Sequence, residues 1–315
     1  MNFKPILIIS GQPKSIFFEI FFKSLKLNNF NSPIVLITCK KLLISKMKKF
    51  KFQKKVNEIN INNLSGYKLN NKFINIINVP LNLKSNSINT YINKSFEIAF
   101  YLINNGFSDK LLNGPISKKL FLKGKFPGIT EFIAKKFNKK KIAMLIYNKE
   151  LSVCPVTTHS PLKLVSKSIK KKTIEEKVIL IDEFFKKKFK LKPRIAVLGL
   201  NPHCESFDKF NEDEKIIAPT IKKLKKLSYK IYGPFASDTM FIKKNREKYD
   251  VVVGMYHDQV LTPIKTLFEY DAVNITLGLP FARVSPDHGP NEKMVDKNNS
   301  NPLSLIKSIS FLDQH

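Results

Sequence analysis

The chain alternates short apolar runs with longer stretches in which apolar residues recur at helical spacing. The runs Ile6 to Ile9, Ile34 to Thr38, Phe73 to Val79, Ala143 to Tyr147, Val153 to Thr158, Ile195 to Leu200, Val251 to Met255 and Val273 to Leu277 are rich in Ile and Val. Most lack strict alternation, as expected of strands covered on both faces. Between them, Ile88, Ile92, Ser95, Ala99 and Leu102 form one helical stripe. Ile174, Val178, Ile181 and Phe185 form another, with Thr173 and Glu176 expected to open it as a capping box. The order predicts an α/β protein with a largely parallel sheet or sheets. The Asn- and Lys-rich stretch from Lys51 to Lys72 reads as surface loops, and a domain boundary is expected near Lys118 to Gly128.

Length and composition narrow this picture. With 315 residues and 43% apolar content the chain can bury one large core or two ordinary ones. No apolar run reaches the roughly 18 residues that a membrane span requires. The apolar stretch near the amino terminus ends at Ser10, and Gly11 and Pro13 follow at once, unlike a secretory leader. Cys39, Cys154 and Cys204 are far apart and odd in number, which fits a reducing cytosol.

The net charge of +30 raises nucleic acid as a partner. Yet only Arg194, Arg246 and Arg283 are arginines; Lys, Asn, Ile and Phe abound, and Trp is absent. That pattern reads as a drift over every surface, not one patch, and leaves at most weak attraction to anionic partners. It also makes each Arg informative, because a lysine cannot copy a bidentate guanidinium fork.

Five histidines are present, and three of them follow predicted strands: His159, His203 and His257. His159 leads into Ser160 and Pro161, a good helix-opening pair. Ligands in open α/β sheets bind at the carboxyl ends of strands, and three imidazoles there are what an open-coordination metal site uses. Taken singly, each histidine could instead cap a turn or fill a gap.

The motifs around them are specific. V-T-T-H-S-P-L (Val156 to Leu162), L-G-L-N-P-H (Leu198 to His203), G-P-F-A-S-D-T-M-F (Gly233 to Phe241), M-Y-H-D-Q (Met255 to Gln259), V-N-I-T-L-G-L-P-F-A-R (Val273 to Arg283) and S-P-D-H-G (Ser285 to Gly289) occur in one order. Together they closely resemble the 4-hydroxythreonine-4-phosphate dehydrogenase family of pyridoxal phosphate biosynthesis, from about Asn113 to Gly289 and more faintly to the amino terminus.

The resemblance implies two α/β/α domains of the isocitrate and isopropylmalate dehydrogenase type with a cleft between them. Residues 1–125 with 290–315 would form the first, and 126–289 the second, carrying the metal ligands and a homodimer interface. It implies one divalent metal (Zn, Mg, Mn or Co) per site, held by His159 and His203 of one subunit and His257 of the other. NAD or NADP would bind without a G-x-G-x-x-G fingerprint, which this chain lacks. The reaction implied is oxidation and decarboxylation of 4-phosphooxy-L-threonine to 3-amino-2-oxopropyl phosphate. Thr130, Lys265, Asn274 and Arg283 match substrate-binding positions, and Asp238, Asp258 and Lys265 are carried over as catalytic. On their own the two aspartates could be turn or cap residues, and Lys265 a solvated lysine. The expected setting is the cytoplasm, with no membrane and no specific nucleic-acid partner.

Four departures bear on the substrate. Ile129 stands where the family usually has histidine and offers no donor or proton carrier. The usual G-D-P-x-G-I-G-P-E pattern reads G-Q-P-K-S-I-F-F-E (Gly11 to Glu19), losing two glycines and the acid. Cys204 to Asn211 replaces a glycine-rich stretch, and Pro290-Asn291-Glu292 follows D-H-G. A related dehydrogenase of another phosphorylated hydroxy acid is therefore an alternative. A non-redox phosphate acyltransferase-type protein on the same scaffold is a further one, against which the histidines argue.

Overall fold

The computed structural model describes residues 3–82, 85–117, 121–122, 126, 128–206, 210–286 and 289–314. Two compact units emerge, Met1–Lys125 with Pro280–His315, and Phe126–Leu279.

In the first unit, strands β1 (Ile6–Ile9), β2 (Ile34–Thr38), β3 (Val56–Glu58), β4 (Ile74–Asn78) and β5 (Lys110–Asn113) come in chain order, with β12 (Ala282–Pro286) added late. Their spatial order is β3-β4-β2-β1-β5-β12, and every pairing is parallel. β1 and β2 are buried throughout, which explains the absence of alternation in their sequences. Helices α1 (Phe17–Leu27), α2 (Lys40–Lys49) and α3 (Ser85–Asn104) are threaded between the strands. The Ile88-to-Leu102 stripe lies within α3.

The glycine-poor amino-terminal motif is rebuilt around aromatic packing. Phe17, at a usual glycine position, is fully buried and stacks on Phe21 with ring centres 5.5 Å apart. Gly114 makes room for it, since a Cβ there would stand 2.8 Å from the Phe17 ring. Gln12 replaces the acid: its Nε2 donates to Glu292 Oε1 (2.8 Å) and its Oε1 accepts from Ser117 N–H (2.9 Å). Two departures from the family pattern, Gln12 and Glu292, thus bond to each other. Gly11 keeps its glycine for a clear reason. Its φ is +76°, and a Cβ would overlap the Pro115 carbonyl oxygen. Gly11→Ala is expected to cost about 2 kcal/mol or more, from left-handed strain plus displaced backbone; an unchanged thermal unfolding midpoint would contradict it.

The second unit contains α4 (Ile129–Lys136), β6 (Ala143–Tyr147), β7 (Ser152–Pro155), α5 (Lys171–Phe189), β8 (Ile195–Leu198), α6 (Ala218–Lys226), β9 (Ile231–Phe235), β10 (Val251–Gly254), α7 (His257–Phe268) and β11 (Val273–Leu277). Strands run in the order β11-β6-β7-β10-β8-β9. β6 is antiparallel to both neighbours, and β7, β10, β8 and β9 are mutually parallel. Met144, Ile146, Val153, Leu198, Val252 and Ile264 belong to its buried core. The chain then returns to the first unit, ending in helix α8 (Leu303–Asp313).

Several expectations need correction. Residues 280–289 belong to the first unit, because β12 pairs with β5. The Lys51-to-Lys72 stretch includes β3, an edge strand whose Asn57 and Glu58 are polar and leave no apolar signature. β5, β9 and β12 were hidden by polar or turn-forming residues: buried Lys110, Gly233-Pro234 and buried Arg283. α5 starts two residues before Thr173, which therefore sits at the third helical position; its hydroxyl accepts the Lys170 N–H (3.1 Å). After His159 a tight turn at Leu162–Leu164 runs into one helical turn at Val165–Ser168, and Pro161 caps the first instead of standing at its first position.

Candidate metal-binding edge

Four neighbouring parallel strands of the second unit end at one edge, and each is followed by a polar residue singled out by its motif. Across the sheet, β7 leads to His159, β10 to His257, β8 to His203 and β9 to Asp238. Parallel strands need crossover connections, so all their exit loops gather on that edge.

His159 and His257 come together. Their ring centres lie 5.7 Å apart with planes inclined by 38°. With metal–nitrogen bonds of about 2.0–2.1 Å, two imidazoles sharing a tetrahedral ion place their ring centres roughly 5–6 Å apart. The pair fits a shared divalent ion. The single chain thus joins two rings that the resemblance assigns to different subunits. Among the described residues no three His, Cys, Asp or Glu side chains form a metal-holding cluster, so His203 does not complete a triad within one chain.

His257 opens α7, and its Nδ1 is bonded to Asp258 Oδ1 at 2.7 Å. A carboxylate on Nδ1 fixes ring orientation and leaves Nε2 for a ligand. Asp258 is exposed, so its place is beside this ring. His203 sits in left-handed backbone (φ 57°), and so does Cys204 (φ 63°). Two successive non-glycine residues there carry strain of about 1–2 kcal/mol each.

What imposes that conformation lies beneath. Asp213 is 1% exposed, and its carboxylate accepts the N–H groups of Leu200 (2.7 Å) and Asn201 (3.1 Å) and the Asn201 side-chain amide (2.9 Å). Gly199 allows this, since a Cβ would stand 2.6 Å from both Asp213 Oδ1 and Cys204 Sγ. Buried Gln259 ties the neighbouring loop to the same point. Its Nε2 donates to the Gly199 carbonyl (2.8 Å), and its Oε1 accepts the Met255 N–H (2.6 Å). The loops that bear His203 and His257 therefore share one hydrogen-bonded brace. Burial, then the Asp213 charge, push the Cys204 thiol up, and the Asp238 charge also reaches it. Asp238, exposed at the start of a short turn (Ser237–Met240), is thus near the His203 loop.

Thr130 and Asn274 meet the same unit from another side. Thr130 Oγ1 lies 3.5 Å from Thr276 Oγ1, and Asn274 shares a face of β11 with Thr276. The Asn274 Oδ1 is buried without a hydrogen-bond partner, an acceptor in need of a donor. Ile129 is buried at the first position of α4 and supplies only apolar surface. Lys265 is exposed on α7, roughly 12 Å along the helix from His257. Arg283 belongs to the first unit, on β12; its Nε (2.9 Å) and Nη2 (2.6 Å) donate to Asn113 Oδ1, and the residue is 2% exposed. His288 and part of the S-P-D-H-G block lie outside the described residues.

Sequence reasoning had not singled out Asp213, Gln259 or Glu131. Gln259 lies inside the M-Y-H-D-Q motif and Glu131 directly follows Thr130, but nothing in the sequence pattern marks Asp213.

The fold and this edge define an α/β protein with a candidate divalent-metal site at strand carboxyl ends. The chain belongs to the family of pyridoxal phosphate biosynthetic protein PdxA, whose model matches residues 30–312. It is 44% identical over 209 residues to 4-hydroxythreonine-4-phosphate dehydrogenase of Sulfurihydrogenibium sp., covering 65% of this chain and 64% of that one. It is 32% identical over 305 residues to D-threonate 4-phosphate dehydrogenase of Salmonella typhimurium, covering 92% of each. The crystal structure of 4-hydroxythreonine-4-phosphate dehydrogenase from Klebsiella pneumoniae superimposes with a TM-score of 0.83 at 28% identity, covering 98% of each chain. Among the described residues no helix is long and apolar enough to cross a membrane.

Proposed function

We propose that this chain oxidises and decarboxylates 4-phosphooxy-L-threonine to 3-amino-2-oxopropyl phosphate, with NAD (or NADP) as acceptor and one divalent ion held by His159, His203 and His257. The observation that carries the reading is the His159–His257 pair at the common edge of four parallel strands. A divalent ion held by these histidines would supply Lewis acidity toward the substrate's hydroxyl and the ketone formed from it.

The chain's own residues perform the remaining tasks. Neutral imidazoles offer Nε2 lone pairs, and Asp258 holds the His257 ring so that its Nε2 is free to bind. Asn274 Oδ1, buried without a partner, is suited to accept an N–H or O–H from the substrate. Thr130 offers a hydroxyl, and Lys265 and Arg283 offer cationic donors for phosphate or carboxylate. Asp238 contributes an acceptor near the His203 loop. The site functions in a cytoplasmic homodimer, at the subunit boundary.

The test is direct. The full chain with 4-phosphooxy-L-threonine, NAD and a divalent ion is expected to form NADH, and chelation should stop it. No NADH above the protein-free rate, with the ion confirmed bound, would overturn the assignment. D-Threonate 4-phosphate belongs in the same assay, because the relative acting on it matches along 92% of the chain and Ile129 removes a usual imidazole. Turnover of that compound alone would select the second reading, a related dehydrogenase of a phosphorylated hydroxy acid.

A further inference from the structure

Glu131 is the third residue of α4, and its carboxylate is left half satisfied. Oε1 accepts from the Thr158 hydroxyl at 3.3 Å, while Oε2 is buried and has no hydrogen-bond partner. A buried carboxylate oxygen without a donor is costly, more so for a charged group. The ordinary helix-opening role, in which a third-position Glu reaches back to the cap N–H, is not the one Oε2 plays, since it takes no such bond.

Gly128 shows what lies beside it. The Gly128 φ of −161° is extended backbone that any residue adopts, so glycine is not needed for its torsion. It is needed for space: a Cβ would stand 2.7 Å from Glu131 Oε2, 3.2 Å from His159 Nδ1 and 3.3 Å from His159 Cε1. The unpartnered oxygen and the Nδ1 edge of the imidazole thus both border the space that a side chain at Gly128 would fill. The imidazole that borders the same space is the donor placed to serve it. Thr158, adjacent to His159 in sequence, holds the other oxygen of the same carboxylate.

We propose that Glu131 Oε2 accepts the Nδ1–H of His159, a positioning contact that fixes the tautomer with its Nε2 lone pair directed at the divalent ion. His257 shows the same arrangement already closed, with Asp258 on its Nδ1. Both rings of the pair then carry a carboxylate behind them, which orients each and raises its basicity as a ligand. The inference deepens the metal reading above and rests on it for its consequence, but the hydrogen bond itself can be observed without metal.

Nitrogen-15 NMR of the histidine rings in the metal-free full chain, at about pH 8 where imidazole is neutral, is expected to show His159 as the Nδ1–H tautomer. Glu131→Ala should move it toward the Nε2–H form, and Glu131→Gln, which keeps an acceptor oxygen, should restore part of the preference. In cobalt(II) titrations Glu131→Ala should weaken binding by about 10–100-fold, the usual cost of losing an outer partner, with Glu131→Gln between it and the wild type. An Nε2–H tautomer of His159 in the wild-type chain, or unchanged cobalt affinity in a folded Glu131→Ala variant, overturns the proposal. A wild-type chain that binds no cobalt while showing the Nδ1–H tautomer, lost in Glu131→Ala, upholds the hydrogen bond and removes the metal reading instead.

Discussion

His203→Ala is expected to abolish turnover and to weaken divalent-ion binding by more than the roughly 10–100-fold that loss of an outer partner costs. The fold should survive. His203 is exposed, and the substitution keeps a Cβ on the same left-handed backbone, so neither core packing nor strain changes. His203→Gly sharpens the test. It removes the same imidazole but relieves about 1–2 kcal/mol of left-handed strain, so it should melt higher than His203→Ala while binding metal no better. Isothermal titration with cobalt(II) and thermal unfolding measure the two effects separately. Normal turnover in His203→Ala would take His203 out of the ligand set.

Asp213→Ala should be the most damaging substitution outside the histidines. It strands the Leu200 and Asn201 N–H groups and the Asn201 amide beneath the His203 loop. Buried donors without acceptors cost about 1–3 kcal/mol each where water cannot reach them, so a loss of about 2–4 kcal/mol is expected in chemical denaturation. Ion binding should fall as well, because the loop that holds His203 and Cys204 in strained torsions loses its bonds from Leu200 and Asn201 to the buried carboxylate. Asp213→Asn, which keeps an acceptor oxygen, should lie between. Unchanged denaturation by Asp213→Ala would show that the loop is held by its other contacts, including Gln259 on the Gly199 carbonyl.

Much of the architecture was legible in the sequence, and for a physical reason. Strands buried on both faces must be largely apolar, so β1, β2 and β6 stand out with the same ends that the structure shows. Where a strand carries a polar group paired inside the protein, that signal fails. Lys110 donates to Ser32 (3.1 Å) and Arg283 to Asn113, and neither partner could be read from spacing. The amino-terminal motif behaves similarly. At one of its lost glycines Phe17 turns the position into core, and Gly114 opens the space for it.

The histidines show the same division. By itself the sequence determined that three imidazoles follow strands and that their motifs belong to one family, because local residue types and their order are all this requires. Only the tertiary structure decided that β10 lies between β7 and β8, which sets His159 beside His257. It alone placed Asp213, Gln259 and Glu131 behind the histidine loops, since hydrogen bonds between residues 13 to 60 positions apart depend on how strands are ordered in space. Strand order arises from packing of whole β/α units, and no single segment encodes it.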